Sequence, residues 1–281
     1  MFCPRGSYQP TDVSDGYYSY GGNSPTTQTK QVICEKGHYC IAGEKFKCPS
    51  GSYGSSAGLA DASCSGECAA GFYCPEASTS LHEMLCGDIS QFCPLGSTQS
   101  QTVQLGYYTI GTSPYMRDSE QLCEKGNYCD GTGMRRPCNA GTYGPTDGLI
   151  ECDLLCPPGF YCPEQSTQPV PCPAGRYGDV SGLQDANCSG PAREGYFTRS
   201  GSKSPSEYIC NSESPGAKQQ AGVPIGMEAG VYYGDINGEY DVVAMDQVFC
   251  PPGTDAPIVV SDGFYAAGGT GEGSRAYQVA S

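Results

Sequence analysis

The chain has 281 residues, yet Leu, Ile, Val and Phe together number only 40 and Trp is absent, which excludes a large hydrophobic core. A net charge of −15 excludes the basic footprint that a nucleic-acid partner requires and disfavours an anionic membrane surface. The 40 Gly and 22 Pro exclude long helices, and no run approaches the roughly 20 apolar residues of a membrane span.

The 19 Cys are left to hold the chain together. A disulfide closing a loop of about 15 residues contributes roughly 3 kcal/mol by constraining the unfolded chain. Disulfides at this density belong to an oxidising compartment, so the expected location is extracellular, as a secreted protein or cell-surface appendage. Met1-Phe2-Cys3-Pro4 does not open a signal peptide, since no charged and then apolar run follows. The expectation is a mature chain or a window of a longer one.

In chain order, residues 1–33 read as a β-hairpin segment that ends an upstream repeat. Asp15-Gly16-Tyr17-Tyr18 is a turn followed by an aromatic strand. Residues 34–93 read as two cysteine-rich modules, opening on CEKGHYC (Cys34 to Cys40) and CAAGFYC (Cys68 to Cys74). Residues 94–122 are a β-hairpin insert around Gly106-Tyr107-Tyr108. Residues 123–188 are two further modules, with CEKGNYC (Cys123 to Cys129) and CPPGFYC (Cys156 to Cys162).

Residues 189–281 read as a β-rich tail with Cys210, Cys250 and the start of another repeat. Its strand candidates begin at Gly195-Tyr196-Phe197 and Gly263-Phe264-Tyr265, and at 230–233, 240–243, 257–260 and 276–279. Asn237-Gly238 supplies a hairpin turn. The strands at both ends show no evident local partner. They pair either with each other or with a neighbouring subunit by strand exchange.

The phrase FCPxG followed by GYY or GFY recurs from Phe2, Phe92 and Phe249, and equivalent cysteines of the first two copies lie about 90 residues apart. The expected unit is thus a long repeat made of two halves. Gln278 to Ser281 lines up with Gln31 to Cys34. The expectation is a chain that starts and stops inside its repeat, as part of a longer array or as a subunit completed by neighbours.

Spacing suggests an interleaved pairing in which each C-x-x-G-x-Y-C phrase bonds to the next two cysteines. It gives Cys34–Cys48, Cys40–Cys64, Cys68–Cys86, Cys74–Cys93, Cys123–Cys138, Cys129–Cys152, Cys156–Cys172 and Cys162–Cys188. Cys210–Cys250 is the ninth bond, and Cys3 is left without a partner in the chain. A rival scheme closes local loops such as Cys48–Cys64 and Cys138–Cys152, and sequence alone does not fix connectivity. In either scheme the phrase is structural: Gly permits a turn with positive φ and Tyr covers the sulfur pair.

The segments CPSGSYGSSAGLADASC (Cys48 to Cys64), CNAGTYGPTDGLIEC (Cys138 to Cys152) and CPAGRYGDVSGLQDANC (Cys172 to Cys188) follow the same pattern. With C-x-x-G-x-Y-C they resemble the ephrin-receptor-like cysteine-rich repeat, which is similar to tumour-necrosis-factor-receptor and EGF-like modules. The resemblance covers residues 34 to 188. It implies short strands, little helix and stacked modules forming an elongated rod. The cysteine-poor GYY inserts and the tail depart from it.

The fold class expected is therefore small, disulfide-rich and mostly β, with tandem cysteine-rich modules and β-hairpin inserts. No enzymatic activity is expected. The only histidines, His38 and His82, lie in no nucleophile context, and no C-x-x-C exists for zinc or redox work. No cofactor is expected beyond covalent glycans. Asp235, Asn237 and Asp241 resemble part of a calcium loop, although a hairpin turn explains the same residues. Asn187-Cys188-Ser189 fits the N-linked acceptor rule. Ser24-Pro25, Ser113-Pro114 and Ser204-Pro205 are loop tips suited to O-linked sugar, on Ser or on hydroxylated Pro, or are plain turns.

The sequence thus reads as a glycosylated extracellular structural protein whose partners are copies of itself, forming a filament or surface fibre. The alternative is the ligand-binding ectodomain of a receptor or adhesin.

Overall fold

The computed structural model describes residues 1–24, 26–210, 231–236, 239–244, 248–260, 264–268 and 275–280. Among these residues there is no helix, and every strand lies in a two-stranded antiparallel sheet. The protein is small-modular, disulfide-rich and mostly β.

The chain divides into two units. One comprises Met1–Glu124, Tyr128–Arg136 and Asp147–Ile150; the other comprises Lys125–Asn127, Pro137–Thr146 and Glu151–Ser281. Both are built from the same part. A four-residue turn closes with a hydrogen bond from the fourth N–H to the first carbonyl, as from His38 to Glu35 (3.2 Å) and Phe72 to Ala69 (3.1 Å) in the first unit. Phe160 to Pro157 (3.1 Å) and Arg176 to Pro173 (3.1 Å) do the same in the second. The third residue of these turns is Gly at positive φ, the arrangement of a type II turn. Two strand residues follow, the second of which is usually Tyr, and a short strand returns.

The cross-strand partner of that Tyr completes its packing. Tyr39 faces Phe46 with ring centroids 5.4 Å apart, Tyr73 faces Met84, Tyr143 faces Leu154 and Tyr161 faces Val170. Phe46, Met84, Leu154 and Val170 are all exposed, so the aromatic ring is what they have instead of a core.

Turn residues fall at Gly16, Gly37, Gly51, Gly71 and Ser90, then at Gly106, Gly126, Gly141, Gly159 and Gly175, and again at Gly195. The long repeat of about 90 residues is therefore five hairpins of about 18 residues, a finer period than two halves. Residues 34–93 and 123–188 hold four of these turns each.

The disulfides correct the interleaved expectation. Cys34 bonds Cys40, Cys48 bonds Cys64, Cys68 bonds Cys74 and Cys86 bonds Cys93. Cys123 bonds Cys129, Cys138 bonds Cys152, Cys156 bonds Cys162 and Cys172 bonds Cys188. None of Cys34–Cys48, Cys40–Cys64, Cys68–Cys86, Cys74–Cys93, Cys123–Cys138, Cys129–Cys152, Cys156–Cys172 and Cys162–Cys188 is formed. The physical reason is the turn. Reversing the chain between Cys34 and Cys40 brings their Cα atoms to 5.8 Å, inside the range a disulfide spans. Cys210 bonds Cys250, and Cys3 is free and exposed.

Among the described residues, cysteines make up most of the buried apolar ones, with Phe92, Val103, Ala192, Phe197 and Ala276 as the other members. The end strands have local partners. Tyr17–Tyr20 pairs with Lys30–Ile33, and Phe264–Ala267 pairs with Tyr277–Ala280. Each end strand is thus paired within its own hairpin rather than with the far end. Val231–Ile236 pairs with Glu239–Ala244, and Val248–Phe249 with Ile258–Val259.

Candidate functional site: the junctions between hairpins

Successive hairpins are joined by one recurring set of backbone hydrogen bonds. In the first unit, the Gly16 N–H donates to Cys40 O (3.2 Å) and Gly16 O accepts from Cys34 (2.9 Å). Cys34 O accepts from Gly58 (2.8 Å) and Cys40 N–H donates to Leu59 O (2.9 Å). Gly51, Cys68, Cys74, Gly96 and Ser97 repeat the pattern, as do Gly106, Cys123, Cys129, Gly148 and Leu149. In the second unit, Gly141, Cys156, Cys162, Gly182 and Leu183 repeat it again. Each junction thus joins a turn glycine, the two ends of the next hairpin and two adjacent loop residues from the hairpin beyond.

The junction leaves no room for a side chain on its turn glycine. At Gly106, with φ +80°, a Cβ would lie 2.5 Å from the Gly148 carbonyl oxygen. Half-exposed side chains cover the loop glycines, Ile33 over Gly58, Leu122 over Gly148 and Leu155 over Gly182.

The residue at the second hairpin end selects the disulfide. Where it is Cys, as at Cys40 or Cys162, it bonds the Cys at the first end. Where it is Gly, the first Cys bonds a third one downstream. A Cβ on Gly54 would lie 2.8 Å from the Cys48 sulfur, and one on Gly178 would lie 3.0 Å from the Cys172 sulfur. The sulfur occupies the missing side chain's place on its way to Cys64 or Cys188. Both patterns, C-x-x-G-x-Y-C and C-P-x-G-x-Y-G, are written in the sequence.

A third pattern has no cysteine. Val103-Gln-Leu-Gly106-Tyr-Tyr-Thr109 and Ala192-Arg-Glu-Gly195-Tyr-Phe-Thr198 place an apolar residue and a threonine at the two hairpin ends. These four residues are buried like the cysteines they replace, and their N–H groups make the same bonds. Val103 N–H donates to Ser90 O, and Thr109 N–H donates to Gly133 O. Ala192 N–H donates to Gly175 O, and Thr198 N–H donates to Thr254 O. Val13 to Ser19 is the first-repeat counterpart, with Ser19 N–H donating to Gly43 O. The Ser19 hydroxyl donates to the same carbonyl as its N–H, at 3.3 Å, whereas the Thr109 hydroxyl donates to Ile89 O at 2.5 Å, with Gly133 O at 3.3 Å. The GYY inserts are therefore hairpins of the same array. The signal that finds them is the spacing G-x-Tyr/Phe-Ser/Thr, which a search on cysteine passes over.

A polar clamp accompanies the first two of these hairpins. Lys45 Nζ lies 5.0 Å from the Tyr18 ring centroid and 2.6 Å from Glu35. Arg135 lies 5.2 Å from the Tyr108 ring and 3.0 Å from Glu124, to which the Tyr108 hydroxyl donates at 3.2 Å. The Lys45 hydrogen bond holds the Glu35 carboxyl below the usual range, and Glu35 in turn raises Lys45. Glu124 is lowered by its backbone hydrogen bond and then by Arg135. Tyr108 is raised, by burial first and then by Glu124.

The other described sequence candidates sit in different loops and strands. Asn187 is exposed in a turn, with its N–H bonded to Asp185 and its carbonyl to Arg176. Pro114 is exposed at the tip of the Tyr107–Ser113/Met116–Leu122 hairpin, next to half-buried Ser113. Ser24, Ser204 and Pro205 are half-buried, and Pro25 lies outside the described residues. Asp235 and Asp241 stand on paired strands, opposite Tyr240 and Gly234, and Asn237 lies outside the described residues. His38 Nδ1 is 3.3 Å from Lys36 O, and the His82 ring packs 4.6 Å from Phe72. Among the described residues no three His, Cys, Asp or Glu side chains gather into a metal-binding group, and no helix is long and apolar enough to cross a membrane.

Compared with protein-family models and with curated proteins, the chain matches none.

Proposed function

We propose that this chain is an extracellular structural repeat protein whose copies assemble end to end into a filament or surface fibre. The observation that carries this reading is the junction. One set of backbone bonds joins hairpin to hairpin with the same geometry at successive positions, and disulfides such as Cys34–Cys40, Cys68–Cys74 and Cys156–Cys162 tie joined ends directly. An array connected this way extends by repetition and needs no core that grows with length. Nine disulfides fit an oxidising compartment. The resemblance of residues 34–188 to ephrin-receptor-like repeats supports the same location. The locally paired end strands favour end-to-end joining over strand exchange. Sugars at Asn187 and at the Ser113-Pro114 tip are part of the proposal.

Electron microscopy of native material, taken without reduction, tests this reading. The expected result is fibres with a regular axial repeat. Dispersed single particles would overturn it and favour the ligand-binding ectodomain.

A further inference from the structure

The cysteine-free hairpins recur once per long repeat, at Val13/Ser19, Val103/Thr109 and Ala192/Thr198. Their place in the covalent topology is distinctive. Between Cys93 and Cys123 the only covalent connection is the backbone of residues 94–122, and between Cys188 and Cys210 it is that of residues 189–209. Fully extended, these stretches reach about 100 Å and about 75 Å. Elsewhere between Cys34 and Cys250 the stretch from one disulfide to the next is shorter, the longest running from Cys74 to Cys86 and reaching about 40 Å.

What closes the long stretches is reversible. The Tyr107–Ser113 strand is held to Met116–Leu122 by backbone bonds. The Gln104 N–H and side-chain amide both donate to Glu120, at 3.0 Å each. The Tyr108, Arg135 and Glu124 clamp is half-exposed. In the third repeat, Phe197 stacks on Tyr208 at 5.2 Å, with Arg199 5.1 Å from the Tyr208 ring. Hydrogen bonds and exposed ion pairs break singly at small net cost and re-form, whereas a disulfide stays closed until it is reduced.

We propose that the cysteine-free hairpin of each long repeat is an extensible joint. Under load it opens and recloses over a longer stretch than any disulfide-tied hairpin can release. This rests on the structural reading above, which supplies the load.

The test is optical-trap stretching of the oxidised chain held by its ends, in the wild type and in two variants. Val103→Cys/Thr109→Cys places a tenth disulfide where Cys34–Cys40 has its counterpart, and Ala192→Cys/Thr198→Cys does so in the next repeat. Thiol titration confirms that each new bond has formed. Less the folded span of each stretch, the wild type is expected to show reversible gains of up to about 100 Å and about 75 Å, beside those of residues 1–33 and 251–281, which no disulfide closes. The first variant splits the longer gain into pieces of up to about 35 Å and about 50 Å and leaves the shorter one unchanged. The second variant splits only the shorter gain. Traces in which neither disulfide alters any gain would overturn the proposal. Absence of fibres by microscopy would remove the assembly and leave these gains in place; fibres without the gains would remove the joints alone.

Discussion

Gly106 shows how one residue decides a junction. Its φ of +80° already disfavours any side chain, and a Cβ would press on the Gly148 carbonyl at 2.5 Å. The obstacle is backbone held by the Gly148 to Cys123 hydrogen bond (2.7 Å), so it has nowhere to relax. Gly106→Ala is expected to destabilise the protein by about 2 kcal/mol or more, read as a lower thermal midpoint. An unchanged midpoint would mean that the junction is not closed in solution. The need for Gly in the C-x-x-G-x-Y turn was legible, because a type II turn demands positive φ there. The collision with a loop more than forty residues away was not, since nothing local marks Gly148 as its partner.

At the scale of the hairpin, the polar clamps take over part of the work that a disulfide does elsewhere. Glu35 and Glu124 have lowered folded-state pKa values. Their contribution is therefore present above the unfolded carboxylate range and is lost as pH falls through the folded value. Lys45, raised by Glu35, keeps its share below its unfolded pKa and loses it only as pH rises through the raised one. The clamps thus hold across neutral pH and fail in acid. Because these side chains are about half-exposed, each pair contributes at most about 1 kcal/mol. Glu35→Gln/Glu124→Gln is expected to show a shallower fall in thermal midpoint below about pH 4.5 than the wild type. Parallel acid profiles would contradict the assignment.

The aromatic strands at Tyr17, Tyr107, Tyr196 and Phe264 were readable from turn signals followed by Tyr or Phe. The membership of the GYY inserts in the array was hidden, because Val103 with Thr109 and Ala192 with Thr198 do by packing and backbone hydrogen bonding what cysteines do by covalent linkage.

For the whole molecule, composition was a sufficient guide to class. A chain this poor in Leu, Ile, Val and Phe and this rich in Cys and Gly has few alternatives to cross-linked short strands. Connectivity was harder to read, because cysteine spacing fits both interleaved and local schemes until the chain reversal at each turn is known. Hairpins, junctions and joints all depend on local disulfide bonding, which non-reducing peptide mapping tests most directly. Trypsin cuts after Lys30, Lys36 and Lys45 and so separates Cys34 from Cys40. The account predicts QVICEK (31–36) disulfide-linked to GHYCIAGEK (37–45), and DSEQLCEK (118–125) linked to GNYCDGTGMR (126–135). Recovery of QVICEK linked instead to the peptide that begins at Cys48 would contradict it.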